Sequence, residues 1–99
     1  MQVDDEELEM LVNKGKLITL RSFRVLKKVH KITYNGKIVG CLKVKEVKGV
    51  KRNIKDVIKK YPFLKQKAEK LERKESIFLI FAELLAFKRG FTTRYGLKK

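Results

Sequence analysis

The chain has one cysteine, one proline, one histidine and no tryptophan in 99 residues. A lone Cys41 permits no internal disulfide, so the fold has to stand on an apolar core. That suits a cytoplasmic protein, with Cys41 read as a small buried hydrophobe. His30 lacks a partner at HxxxH or CxxC spacing, so no structural metal is expected. Walker A and GxGxxG motifs are missing too, and no cofactor is expected. The longest apolar run, residues 77–87, has 11 residues and is broken by Glu83, too few to span a bilayer. The N-terminus is acidic, unlike the basic start of a secretory leader.

Acids are the most telling shortage. There are 11 Asp and Glu against 26 Lys and Arg, a formal charge of +15. Asp4, Asp5, Glu6, Glu7 and Glu9 account for five of those acids, so residues 10–99 carry +20. A surface so biased repels itself and suits a polyanionic partner. Nucleic acid is the first choice, ahead of an anionic membrane or an acidic protein. A Lys-rich thermophilic surface is the bland alternative, but such surfaces usually carry matching Glu. Apolar residues are 43%, too many for a disordered polybasic chain.

What is present reads as one α+β domain over residues 16–96, an acidic helix or arm over 1–15 and a basic tail over 97–99. Residues 4–12 have an amphipathic pattern that ends near Gly15. Two strands are expected at 17–23 and 26–34. Asn35-Gly36 is the strongest local signal, a type I′ hairpin turn. The next strand, 37–47, sets Ile38, Leu42 and Val44 on one side and Lys43 and Lys45 on the other. Gly40 marks a bulge or a close backbone approach. Asn53 with Asp56 is expected to cap a helix whose stripe is Ile54, Val57, Ile58 and Tyr61. Pro62 breaks it and opens a second short helix ending near Lys74. In 77–87 the first half reads as strand and Ala82–Ala86 favours helix by propensity. A strand is preferred because a sheet needs one apolar closing partner. A short edge strand is expected at 91–95.

The order of these elements, with Tyr34-Asn35-Gly36-Lys37-Ile38-Val39-Gly40 followed by Val44 and Val47, resembles the PUA-like superfamily, in particular its ASCH members. The resemblance covers roughly residues 16–95. It implies a small twisted β-barrel, or a strongly curved mixed sheet, with two short helices inserted. It also implies association with RNA, in RNA processing or translation, at a cleft between barrel and helices near Lys43, Lys45, Lys48, Lys51 and Arg52. The ASCH pattern has a glutamate soon after an early glycine–lysine segment. Here Gly15-Lys16 leads to Arg21 and Arg24 without one, so no catalytic residue carries over.

The candidate nucleic-acid residues form three groups besides Arg21 and Arg24, which bracket Phe23. Lys37, Lys43 and Lys45 share a strand and could neutralise successive phosphates. Lys48, Lys51 and Arg52 lie at the strand end and the start of the next helix. Arg89, Arg94 and Tyr95 combine guanidinium forks with a ring that can stack on a base. For each the bland reading is a solvated basic face. RNA is favoured over DNA. Duplex-DNA binding through the basic hairpin, and a protein-interaction module, are the alternatives. His30, Tyr34 and Glu46 have no spacing that unites them as acid and base, so ribonuclease activity is a minor reading.

Overall fold

The computed structural model describes residues 1–91. Helix α1 (Asp5–Lys14) is followed by strands β1 (Lys16–Arg21), β2 (Val29–Tyr34) and β3 (Lys37–Gly49). Helices α2 (Ile54–Lys60) and α3 (Lys65–Leu71) come next, each preceded by a single 3-10 turn, and β4 (Phe78–Phe87) closes the sheet. Segment 77–87 is therefore strand, as its first half suggested. Its β-branched and aromatic residues pair on both sides, and that burial overrides the helix propensity of its second half.

The expected barrel is not formed. The four strands lie in the order β1-β4-β3-β2, every neighbouring pair is antiparallel, and the sheet is neither closed nor strongly curved. β1 and β2 are consecutive in sequence but occupy opposite edges. The physical reason is that both apolar faces already have covers. On one face Leu17, Ile32, Leu42, Val44 and Ile80 pack with Leu8 and Leu11 of α1 and with Val25 of the 22–28 loop. On the other, Leu20 and Leu79 pack with Val57, Leu64 and Ala68 of the α2–α3 unit. With helices over the apolar part of each face, the sheet buries its core without closing.

The N-terminal segment is an integral part of this domain. The Val3 amide donates to the Thr33 carbonyl at 2.9 Å, and Gln2 makes a parallel bridge with Thr33. Asp4 caps α1 through a reciprocal pair: its side chain accepts from the Glu7 amide, and the Glu7 side chain accepts from the Asp4 amide. The cap expected at Asn53 is absent, because a 3-10 turn (Lys51–Asn53) leads into α2 and Asn53 makes no side-chain cap bond. The 17–23 and 26–34 strands are shorter than expected. Residues 22–28 form a loop whose Leu26 carbonyl accepts from the Lys28 amide and from His30 Nε2.

Three register shifts adjust the expected faces. Val39 is the extra residue between the Ile32–Gly40 and Thr33–Ile38 pairs, so Val39 is buried and Ile38 is turned out. Leu85 and Lys45 are the extra residues of the β3–β4 ladder. At Gly40 the close approach is real: a Cβ there would collide with the Ala86 carbonyl oxygen. The hairpin turn is as expected, with Asn35 and Gly36 at φ of 50° and 78°.

Candidate nucleic-acid interface

The α2–α3 unit covers only one end of its sheet face. Leu20, Leu79 and Lys48 form one cross-strand row on this side. Ile18, Phe81 and Glu46 form the next. Lys16, Glu83, Lys43 and Val29 then make a row across all four strands. Strand alternation sets these rows on the same face. Leu20 and Leu79 of the first row are under the helices, while Lys48 at its end is exposed. The last is bare, and all four of its residues are exposed. Beyond it, Ala86, Cys41 and Lys31 continue the open surface, with Cys41 half-buried.

At the border between covered and bare sheet stand three rings. Tyr61, at the end of α2, meets Phe63 edge-on with centroids 6.0 Å apart and a 70° angle. On its other side it meets Phe81 of β4 at 6.1 Å and 69°. Pro62 makes this possible by stopping α2 and turning the chain, which brings Phe63 beside Tyr61. Phe63 is 47% exposed. Lysines sit over the rings: Lys48 Nζ is 6.0 Å from the Phe81 centroid and Lys60 Nζ 5.6 Å from that of Tyr61. Lys48 also pairs with Glu46 at 2.8 Å. Its hydrogen bond and charge hold the Glu46 carboxyl below the usual range, and the same bond raises Lys48. Both therefore stay ionised near neutral pH, but Glu46 and Glu83 are the only acids in these rows.

The sequence candidates separate in space. Lys43 and Lys48 lie on this face, and exposed Lys45 stands between them at the bulge. Lys37 pairs with Tyr34, and the Val39 bulge sets it on the side opposite Lys43. It lines a small cleft with Lys88 and Arg89. Lys51 donates to the Glu72 carbonyl, and Arg52 is exposed beside it. Arg24 is in the loop, its guanidinium 5.4 Å from the Phe78 ring centre. Arg21 is committed to Glu7 and is only 15% exposed in its side chain. Arg94 and Tyr95, with most of the expected 91–95 strand, lie outside the described residues. The rings of Tyr61, Phe63 and Phe81 were missed, because Tyr61 read as part of a helical apolar stripe and Phe81 as part of a buried strand. The signal was a proline that forces two aromatic residues onto one turn.

Among the described residues no group of three or more His, Cys, Asp or Glu could hold a metal ion. None of their helices is long and apolar enough to cross a membrane. No family model, no curated protein and no solved structure matches the chain.

Proposed function

We propose that this protein binds unpaired segments of RNA on the half of the sheet that α2 and α3 leave bare. The observation that carries the reading is the run of rings Phe63–Tyr61–Phe81 beside Lys43, Lys45, Lys48 and Lys60. Rings stack on any base that is free of its partner, and lysines neutralise the phosphates that follow it. An open sheet face with an aromatic border can take a strand laid across it.

Duplex reading would need an element free to enter a groove. Here α2 and α3 have seven residues each and pack on the sheet. The β2–β3 hairpin is tied down by the Met1, Val3 and Asp5 contacts to β2. RNA, rather than DNA, is the unpaired polyanion that a cytoplasmic protein meets. The proposed role is binding, with no bond made or broken.

Fluorescence anisotropy with single-stranded RNA, hairpin RNA and duplex DNA tests this. The expected order of affinity follows the number of unpaired bases. Phe63→Ala, at an exposed site, should weaken single-strand binding roughly tenfold, the loss of one stacked base. Equal binding to all three ligands, or an unchanged Phe63→Ala variant, would sink the reading.

A further inference from the structure

The 22–28 loop has a pattern that the RNA face does not use. Phe23 and Leu26 are each 60% exposed, the highest values among the large apolar side chains of the described residues. Arg24, Lys27 and Lys28 are exposed around them, and the sequence has no acid between Glu9 and Glu46. The loop is braced: Val25 is buried in the core, His30 Nε2 donates to the Leu26 carbonyl at 2.8 Å, and Arg24 rests over Phe78. Bracing on the inner side keeps Phe23 and Leu26 presented outward.

We propose that this loop docks on an anionic lipid bilayer, inserting Phe23 and Leu26 while Arg24, Lys27 and Lys28 engage the headgroups. Two needs meet at one place. The side chains need an apolar medium, and the basic residues need a dense array of negative charge. A bilayer with anionic lipid supplies both within a few ångströms. A second copy of this chain would bring +15 toward +15, which opposes a homodimer on this loop. RNA supplies the charge, but Leu26 has no ring face for a base.

Flotation with phosphatidylcholine vesicles, with and without phosphatidylserine, provides the test. The chain has no tryptophan, so Phe23→Trp serves as a single reporter. The protein should float with the phosphatidylserine vesicles and not with neutral ones, and Trp emission should shift to the blue on binding. The double variant F23S/L26S keeps every charge and should lose at least about tenfold in vesicle affinity. It should bind single-stranded RNA as the parent does. Conversely, the double variant K43Q/K45Q should lose RNA affinity and keep its dependence on Phe23 and Leu26 for vesicles. Vesicle binding by F23S/L26S equal to that of the parent would overturn the proposal, as would unshifted Trp emission in the bound state. So would a loss of RNA binding in F23S/L26S with vesicle binding intact, which would assign the loop to the RNA surface.

Discussion

The Glu7 carboxylate takes both terminal nitrogens of Arg21, with Nη1 to Oε2 at 2.7 Å and Nη2 to Oε1 at 3.1 Å. Glu7 is 2% exposed. Thr19 donates its hydroxyl to the same carboxylate, and Lys67 of α3 stands 3.6 Å from it while pairing with Asp4. Residues of α1, β1 and α3 thus share one charge cluster. Removing Arg21 alone, as in Arg21→Leu, leaves a buried carboxylate without its main partner and should cost about 3–5 kcal/mol. The double variant E7L/R21L removes both charges and should recover much of that loss. Urea unfolding of the two variants reads the difference. A double variant less stable than the single one would show that Glu7's other contacts, to the Asp4 amide, Thr19 and Lys67, outweigh the cost of its unpaired charge.

The same cluster predicts acid sensitivity. Burial pushes the Glu7 carboxyl up, but Arg21, Thr19 and the Asp4 amide outweigh it and hold it below its ordinary value. For Asp4, burial also pushes up and is outweighed by Lys67, the Glu7 amide and Arg21. Folded values below the unfolded ones mean that the unfolded chain binds protons first. The stabilisation is therefore complete above the unfolded carboxylate range, near pH 4–5, and fades as pH falls through the depressed folded values. Thermal melts from pH 7 downward should show a fall in Tm that begins below about pH 5 and is reduced in E7L/R21L. An equal acid response in parent and double variant would contradict this.

Gly40→Ala should destabilise the sheet by about 1–3 kcal/mol. Its Cβ would meet the Ala86 carbonyl oxygen and lie 3.0 Å from the Phe87 Cα, both backbone atoms that cannot swing aside. Chemical denaturation checks this, with Gly49→Ala as the control. A Cβ at Gly49 would meet only the Phe78 ring edge at 3.9 Å.

Glu46→Gln isolates the role of charge on the candidate face. The Glu46–Lys48 pair is on the surface, so Tm should be unchanged within error. Lys48 would be released toward a ligand, and RNA affinity at low salt should rise by roughly two- to fivefold. A lower affinity would place Glu46, not Lys48, against the RNA.

Local signals were legible in the sequence. Asn35-Gly36 requires its turn and Pro62 its break, because each depends on near neighbours alone; Gly40 marked a close approach whose partner, Ala86 of β4, only the fold supplies. The barrel expectation failed on a non-local choice. β4 inserts between β1 and β3, and no residue of β1 or β2 announces that they will be opposite edges. Gly40 signalled the bulge beside it at Val39, but the bulges at Lys45 and Leu85 were hidden, since one extra residue reverses a face without altering the composition. Arg21 read as one basic residue among many, although the Asp4–Glu7 cap spacing offered a sign that Glu7 was structural. The aromatic border needed the fold, because Phe81 and Phe63 meet only through Tyr61.

The most direct test of the central claim is the salt dependence of single-stranded RNA binding by the parent and by the double variant K43Q/K45Q. Log affinity should fall linearly with log salt, with a slope reduced by about 0.7 for each lysine removed. An identical slope in parent and variant would contradict it.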